Sequence, residues 1–314
     1  MIADGLLLVD KEPGCTSHDV VQRARRLLRQ KRIGHCGTLD PDATGLLLLT
    51  LGQATRLTRF LIHAPKVYEG RIRFGVATDT YDAAGKVIAE RPTDELSESA
   101  VDAAMARFVG TYEQALPPFS AHKVGGVKFY ELARRGEEVP EATKEITVAE
   151  LVRTGPLADA TAPFRLACTS GTYARAIAHE LGAALGCGAH LAALRRTAIG
   201  PFAVESALAI DEIARRREAG EPLAGSWLAL DDVPLPFEDL VVDVAQERRL
   251  RSGQTVLGQG LGAAAGDWVR LIDRRGGLVA VGSVAERVGA GAVAVVQPRI
   301  VFRPEPDVVI SPRT

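Results

Sequence analysis

The chain contains little cysteine and no excess of either charge. Its Lys and Arg total 38 against 39 Asp and Glu, so the net charge is −1 and the pI about 6.6. This balance excludes a uniformly basic nucleic-acid coat but permits a local basic patch. The four cysteines are too few and too scattered for a disulfide scaffold in 314 residues. They are Cys15, Cys36, Cys168 and Cys187.

Long apolar runs are also missing. The longest, Gly5–Val9 and Leu46–Leu51, fall far short of the roughly 18 residues that a membrane span needs. No basic segment precedes an apolar one at the N-terminus, so no secretory signal is expected. A composition of 46% apolar and 25% charged residues is typical of a globular protein, and this length favours about two domains. We therefore expect a cytoplasmic protein in a reducing compartment, with no membrane partner.

The N-terminal pattern predicts a strand, a turn and a helix. The strand covers Gly5–Val9, the turn Lys11–Gly14, and the helix is capped by Ser17 and runs to about Gln30. One face of this helix is apolar, and the other is basic without an intervening acid. The basic run is either a solvated helix face or a phosphate-contacting patch. It consists of Arg23, Arg25, Arg26, Arg29, Lys31 and Arg32.

The middle of the chain alternates further strands and helices with one basic loop. Residues 117–140 combine proline, glycine and positive charge, as an RNA-contacting insertion or an ordinary long surface loop would. The other predicted elements are strands over Leu46–Leu51, Tyr68–Gly75 and Phe164–Thr169, helices over 96–109 and Thr172–Leu185, and an ordered segment over Ala189–Arg196.

A composition shift at Pro234–Pro236 marks a domain boundary near residue 237. Glycine-rich short strands separated by turn signals follow, which predicts a small β-domain. The predicted strands of this domain are Trp268–Ile272, Gly277–Val284 and Gly291–Val296.

The stretch Gly34–Gly45 is dense in glycine, acid and hydroxyl residues. Its acids mimic the start of a calcium loop, but the twelfth position is Leu51, where a bidentate Glu is required. The Gly-Lys-Ser/Thr ending of a phosphate-binding loop is absent. His35 directly before Cys36 is not a ligand spacing of the common structural zinc sites. From residue types alone, the stretch favours a turn at Asp40–Pro41.

Three segments together resemble the TruB-type family of tRNA pseudouridine-55 synthases. Gly34–Gly45 meets every fixed position of the family's G-H-x-G-T/A-L-D-P-x-A-x-G signature. Lys66–Tyr68 resembles its K-x-Y element, and Cys168–Arg175 resembles its S/K-G-T-Y-x-R element. The resemblance covers most of residues 5–202, whereas the C-terminal region matches the family's small PUA-type β-domain only loosely.

The resemblance implies an α+β fold, the pseudouridine-synthase fold. A mixed, largely antiparallel sheet flanked by helices is expected, with a small C-terminal PUA-like β-domain. Residues 1–236 would form the catalytic domain, with an RNA-contacting insertion at about 117–145. Residues 237–314 would form the RNA-binding β-domain, which positions RNA through its phosphates.

The resemblance also assigns three residues to catalysis. Asp40 matches the catalytic aspartate of the family, and Arg175 matches the arginine that pairs with it. A planar guanidinium can orient a carboxylate and keep it ionised. Tyr68 matches the active-site tyrosine, whose ring can stack on an extruded base and whose hydroxyl can take part in proton transfer. Without the resemblance, Arg175 is equally a helix-surface residue and Tyr68 a core residue of its strand.

Further positions match substrate-binding residues of the family. His35 would fill the gap left by the extruded base, and otherwise is a loop histidine bonded to backbone. Tyr173 and Leu194 match positions that line the nucleotide pocket, as does the ring of Tyr68, although each could equally belong to the core.

The implied activity is isomerisation of uridine 55 in the tRNA T-loop. This reaction breaks the N1–C1′ bond and forms a C5–C1′ bond, so the resemblance implies no metal or other cofactor. It also implies a monomer that needs no guide RNA and no obligatory protein partner. Two alternatives stay open: a guide-RNA-dependent synthase subunit that acts on ribosomal RNA, and an RNA-binding or RNA-folding module without catalysis.

Overall fold

The computed structural model describes residues 4–120, 123–124, 126–223, 225–289 and 292–303. Within these ranges one ten-stranded and one five-stranded sheet carry most of the β-structure, which confirms the predicted α+β class. No helix in the described ranges is long and apolar enough to cross a bilayer. The helices are α1 (Ser17–Leu28), α2 (Thr58–Leu61), α3 (Glu98–Ala106), α4 (Phe129–Arg134), α5 (Ala174–Ala184), α6 (Ile210–Ala219) and α7 (Val244–Arg251).

The large sheet and two small hairpins use the first fourteen strands. These are β1 (Gly5–Lys11), β2 (Ile33–His35), β3 (Thr44–Leu51), β4 (Lys66–Phe74), β5 (Val76–Thr78), β6 (Val87–Glu90), β7 (Gly110–Ala115), β8 (Lys123–Val124), β9 (Val127–Lys128), β10 (Thr143–Arg153), β11 (Thr161–Cys168), β12 (Ala189–Ile199), β13 (Phe202–Ala203) and β14 (Trp227–Ala229).

The large sheet is mixed but mostly antiparallel, as expected. Its order is β14-β1-β3-β12-β4-β11-β10-β7, with β2 paired to β3 and β13 to β12. The β3–β12 pair is parallel, whereas the other pairs described in this sheet are antiparallel. Strand β12 therefore joins the N-terminal strands to β4 and the rest of the sheet.

Alternating apolar residues on β1 and β3 belong to two different apolar clusters, one on each face of the sheet. Leu7 and Leu47 pack in one cluster with residues of α1 and α6. Leu6 and Leu46, which point the other way, pack in another cluster with C-terminal residues such as Phe302. The central strands are thus buried on both faces, which explains why they are almost wholly apolar in sequence.

The C-terminal strands form the second sheet, which packs against the first. Val281 and Ile300 of the second sheet lie in one apolar cluster with Leu6 and Leu46 of the first. Trp268 also contacts Phe60 of α2 edge-to-face, with ring centroids 4.9 Å apart. The strands of this sheet are β15 (Glu238–Val241), β16 (Val256–Gln259), β17 (Trp268–Ile272), β18 (Leu278–Val288) and β19 (Val293–Val301). Their order in the sheet is β15-β17-β18-β19-β16.

The predicted strands and helices have counterparts whose bounds differ by a few residues, but the predicted cap of α1 was wrong. Thr16 is the N-cap, because its hydroxyl accepts from Asp19 N and the Asp19 carboxylate accepts from Thr16 N. The Ser17 hydroxyl instead bonds to Leu39. Helix α1 ends at Leu28, before Gln30.

The basic segment predicted as a loop contains regular structure. Strands β8 and β9 pair as a hairpin and lead directly into α4, so the prediction of loop throughout residues 117–140 was wrong. Propensity over so short a run is overridden by local pairing. Ala121, His122 and Gly125 of the insertion lie outside the described residues, as do Gly291 and residues 304–314 of the predicted β-domain.

Candidate active site

Four adjacent strands align one residue each in a row across the large sheet. Lys11 on β1 lies opposite Gly45 on β3, Gly45 is paired with Arg196 on β12, and Arg196 is opposite Tyr68 on β4. Directly paired residues project to the same side of a sheet. The side chains of Lys11, Arg196 and Tyr68 therefore share one face, under the loop that joins β2 to β3.

This loop, residues 36–43, is called the Asp40 loop below. Its tip is a turn over Asp40–Ala43, in which Ala43 N donates to Asp40 O at 3.1 Å. Pro41 occupies the second turn position, where its fixed φ favours the bend. The turn predicted at Asp40–Pro41 is therefore present, and it presents the Asp40 side chain.

The buried side chains of Lys11 and Arg196 bond to the backbone of the Asp40 loop. Lys11 Nζ donates to Pro41 O and Ala43 O, both at 2.7 Å. Arg196 donates from Nη2 to Gly37 O at 3.1 Å and from Nε to Leu46 O, just after the loop, at 2.8 Å. Both side chains are 1% exposed, so these carbonyls replace water as their partners. The loop is thus fixed through its backbone.

Two further features fix the same loop. The Ser17 hydroxyl accepts from Leu39 N at 2.9 Å, which ties the start of α1 to the loop. Gly45 has φ +98, and an added Cβ would collide with the Arg196 backbone. Glycine is therefore required where β3 meets β12.

Arg175 lies opposite the loop, in the first turn of α5. Its Nη2 donates to Phe119 O at 2.6 Å, and its Nη1 is 3.4 Å from Asp82 Oδ2. Its Nε is 3.8 Å from Asp40 Oδ2 and has no hydrogen-bond partner among the described residues. Because only 6% of Arg175 is exposed, this donor is shielded from water, and the Asp40 carboxylate lies just beyond hydrogen-bond distance from it.

Asp82 is a site residue that sequence reasoning missed. It lies in the turn between β5 and β6, where its Oδ1 accepts from Thr80 Oγ1 at 2.6 Å and Ala84 N at 3.1 Å. Its Oδ2 contacts Arg175. The TDTYDAAG stretch, with clustered Asp, Thr and Gly, indicates a loop organised by side-chain-to-backbone bonds. Its partner helix could not be read from that stretch.

The Asp40 carboxyl experiences opposing electrostatic effects. Burial raises the pKa of Asp40, the Arg175 guanidinium lowers it, and the Asp82 carboxylate adds to the rise. About 46% of the side chain is still exposed, so the carboxyl is open to a ligand. An ionised carboxylate with a raised pKa is more basic than an ordinary aspartate.

Two tyrosines flank Asp40. Burial raises the pKa of Tyr68, against the opposite effect of Arg196, and burial also raises the pKa of Tyr173. The Asp40 carboxylate contributes to both increases, so it lies near both phenols. Both hydroxyls therefore keep their protons at neutral pH. Tyr173 also joins the backbone of α5 to the sheet, since Tyr173 N donates to Gln114 Oε1 at 2.8 Å.

Leu194 and His35 lie at different places around the loop. Leu194 packs against the core cluster that contains Leu39, Ala43 and Tyr68. His35 is at the opposite end of the loop, on β2. Burial lowers the pKa of His35, and the charges of Arg196 and His18 act on it in the same direction. Its Nδ1 has no hydrogen-bond partner within the described ranges.

Thiol and metal chemistry have little support in the described residues. All four cysteines are unpaired, and burial raises the pKa of Cys36, the first residue of the Asp40 loop, to about 12. That thiol stays protonated, so it is neither a nucleophile nor a ready metal ligand. No three His, Cys, Asp or Glu side chains of the described chain converge as a metal site would require.

A solved structure shares the fold of this chain. The chain is similar to a solved chain of a Cbf5–Nop10–Gar1 complex, with a TM-score of 0.72 and 25% identity, over 96% of this chain and 85% of that one. This supports a pseudouridine-synthase fold with an additional C-terminal β-sheet.

The family follows from two family models and many curated relatives. The model of the TruB family pseudouridylate synthase N-terminal domain matches residues 25–174, and that of the tRNA pseudouridylate synthase B C-terminal domain matches residues 175–242. The chain belongs to this family, one of tRNA modification, and is an isomerase that forms pseudouridine.

Two relatives illustrate the similarity, and both are named tRNA pseudouridine synthase B. The one from Opitutus terrae is 52% identical over 213 residues, which are 67% of this chain and 87% of the relative. The one from Thermobifida fusca is 47% identical over 262 residues, which are 81% of this chain and 84% of the relative.

Proposed function

We propose that this protein converts uridine 55 in the T-loop of tRNA into pseudouridine, without a guide RNA, and that Asp40 carries the reaction. The observation that carries the proposal is the Asp40 carboxylate, held on a rigid loop and facing Arg175. Asp40 also lies in the family's G-H-x-G-T/A-L-D-P-x-A-x-G signature, and Arg175 in its S/K-G-T-Y-x-R element. We expect the enzyme to act in the cytoplasm as a monomer, with tRNA as its partner.

The reaction balances without a redox partner. The N1–C1′ bond breaks and a C5–C1′ bond forms, while C5 loses a proton and N1 gains one. Asp40 can attack C1′, attack C6 of the ring or remove the C2′ proton, and each of these routes begins with an ionised carboxylate. Because burial raises the pKa of Asp40, the ionised group is a stronger base and nucleophile than a solvated aspartate.

Arg175 orients that carboxylate and favours its ionised form. Its Nε lies 3.8 Å from Asp40 Oδ2 and has no hydrogen-bond partner among the described residues. Asp82 and Phe119 O hold the other end of the guanidinium. When substrate binding brings the Arg175 guanidinium closer to Asp40, this donor can complete a charge-assisted hydrogen bond.

The substrate base must leave the RNA stack before Asp40 can reach it. We assign Tyr68 to stacking on the extruded base and to proton transfer, for which it keeps its phenolic proton. Tyr173 and Leu194 line the pocket of that nucleotide. His35, whose ring is neutral because burial lowers its pKa, fills the space that the base vacates.

The rest of the molecule holds the RNA. We propose that residues 1–236 form the catalytic domain and that the insertion at about 117–145 contacts the T-arm. Residues 237–314 form the RNA-binding β-domain. Backbone contacts of this kind position an RNA without reading its sequence.

A guide-dependent subunit is the competing function. The identities of 52% and 47% to proteins named tRNA pseudouridine synthase B favour the guide-free enzyme over the 25% identity to the Cbf5 complex. The two functions differ in what they need, since the solved Cbf5 is in a complex with two other proteins, Nop10 and Gar1.

The experiment is a partner-free assay. Purified protein is incubated with an unmodified tRNA transcript, and pseudouridine is mapped by position. Product at position 55 alone, absent with a transcript that carries cytidine there, supports the proposal. An Asp40→Asn enzyme is the matched negative control. Modification that requires added guide RNA or proteins would overturn it in favour of the guide-dependent subunit.

A further inference from the structure

The turn that carries Asp82 contains a tyrosine in an unusual backbone conformation. Tyr81 has φ 67, in the left-handed region, where a residue with a Cβ is disfavoured. Its backbone is nevertheless anchored, because Tyr81 O accepts from Leu191 N at 2.9 Å and Ala83 N donates to Leu191 O at 3.1 Å. Such strain persists only where the surroundings enforce it, and it is enriched beside functional residues.

The side chain of Tyr81 stacks on His179. The two ring centroids are 3.8 Å apart and the ring planes differ by 13°. Nδ1 of His179 has no hydrogen-bond partner in the described part of the chain, and burial lowers the pKa of His179. The contact is therefore one between the faces of two neutral rings.

The stack matters because His179 lies on the same helix as Arg175. His179 follows Arg175 by four residues on α5, so the two side chains lie one turn apart on the same side of the helix. The Asp82 turn thus touches α5 twice: Tyr81 contacts His179, and the adjacent Asp82 contacts Arg175. Two contacts fix the orientation of a turn on a helix, whereas one leaves it free to pivot.

We propose that Tyr81 and His179 are positioning residues that set the Asp82 carboxylate against Arg175, and through Arg175 set Asp40. The proposal rests on the function proposed above, because it needs Asp40 and Arg175 at the reacting nucleotide. The left-handed backbone at Tyr81 directs its ring to α5 while Asp82, the next residue, faces the guanidinium.

The test uses variants that separate the backbone conformation from the ring. Tyr81→Asn tolerates a left-handed φ but removes the ring, and His179→Ala removes the other half of the stack. Tyr81→Phe and His179→Phe keep both aromatic faces and are the matched controls. For each variant, the single-turnover rate constant at saturating enzyme, the tRNA Kd and the melting temperature are measured.

We expect Tyr81→Asn and His179→Ala to slow the single-turnover step about tenfold with a tRNA Kd within about twofold of wild type. Both Phe variants should recover most of the rate. In an Asp82→Asn background, adding Tyr81→Asn should slow the reaction less than about twofold, since the residue through which it acts is already changed.

Three results would overturn the positioning role. They are an undiminished tenfold penalty in the Asp82→Asn background, a loss confined to tRNA affinity, and wild-type rates for both Tyr81→Asn and His179→Ala. The Asp40→Asn enzyme separates this proposal from the one on which it rests. If Asp40→Asn is active, the proposed function fails; if it is inactive while Tyr81→Asn and His179→Ala both react at wild-type rates, only the positioning role fails.

Discussion

The cleft around Asp40 has a loop side, formed by the Asp40 loop, and a helix side, formed by Arg175 of α5. The two sides differ in how tightly their residues are held. On the loop side, the backbone is fixed by Lys11 and Arg196 through hydrogen bonds of 2.7–3.1 Å from side chains that are almost fully buried. On the helix side, Arg175 makes one short bond, to Phe119 O, and two longer charge contacts at 3.4 and 3.8 Å.

This difference indicates that the loop side is preformed, whereas the helix side is completed when substrate binds. The loop side has its geometry independently of a ligand, because its buried donors are already paired with carbonyl oxygens. The helix side keeps one guanidinium donor unpaired within the described residues, facing the carboxylate. Substitutions of the buried residues that hold the loop, Lys11 and Arg196, should therefore lower stability together with activity, and those on the helix side should lower activity alone.

The largest expected effect is that of Asp40→Asn. The amide keeps size and polarity but is neither a nucleophile nor a base, so the single-turnover rate should fall on the order of 10⁴-fold or more. Its tRNA affinity and melting temperature should stay close to wild type, because the loop is held through its backbone. Turnover within tenfold of wild type would exclude the assigned role.

Arg175→Lys tests the helix side, with an expected loss of about 10²–10³-fold in rate and little change in melting temperature. A point charge cannot replace the fork that joins Asp40, Asp82 and Phe119 O. The control is Arg153→Lys, since Arg153 makes a two-pronged bond to Asp102 with both distances 2.9 Å. Equal rates for Arg175→Lys and this control would show that geometry at Arg175 is unimportant.

Lys11→Met tests the loop side. Pro41 O and Ala43 O lose their buried donor, which should lower the free energy of unfolding by about 2–4 kcal/mol. The rate should fall with it, because the turn that presents Asp40 is no longer fixed. Denaturant unfolding measures the first effect, and Lys86→Met, at an exposed lysine, is the control. A slow but fully stable Lys11→Met enzyme would contradict the contrast between the two sides.

The smallest expected effects are shifts of the acid limb of the pH–rate profile. The reactive form of Asp40 is ionised, so the rate falls as pH drops through its pKa, and burial places that limb above the range of an ordinary aspartate. Asp82 raises the pKa of Asp40 and Arg175 lowers it. Asp82→Asn should therefore move the limb to lower pH, and Arg175→Gln to higher pH. Shifts of the same sign in both variants would exclude this electrostatic balance.

Sequence patterns predicted the local elements well, since apolar alternation and turn residues depend on near neighbours. The strand over Leu46–Leu51 and the turn at Asp40–Pro41 are of this kind, and both are present. The family resemblance added the candidate residues Asp40, Tyr68 and Arg175, whose roles remain predictions.

Contacts created by strand order were not predictable. Arg196 reaches the Asp40 loop because β12 pairs with β3, and the turn of Asp82, which contacts Arg175, is bonded to Leu191 of the same strand. The two-domain pattern also concealed that the C-terminal sheet shares an apolar cluster with β1 and β3, which no periodicity within either region could reveal.

The same strand order has a consequence for biosynthesis. Asp40 follows β2 and Tyr68 lies on β4, but the strand that joins their parts of the sheet, β12, begins only at Ala189. A ribosome delivers the chain from its N-terminus, so β1 to β4 emerge long before the strand that unites them. The edges that pair with β12 stay open until it emerges, so the site can be complete only after β12 has joined the sheet. Slowing translation between Tyr68 and Ala189 should lengthen the interval in which a nascent-chain chaperone can bind the unpaired N-terminal strands.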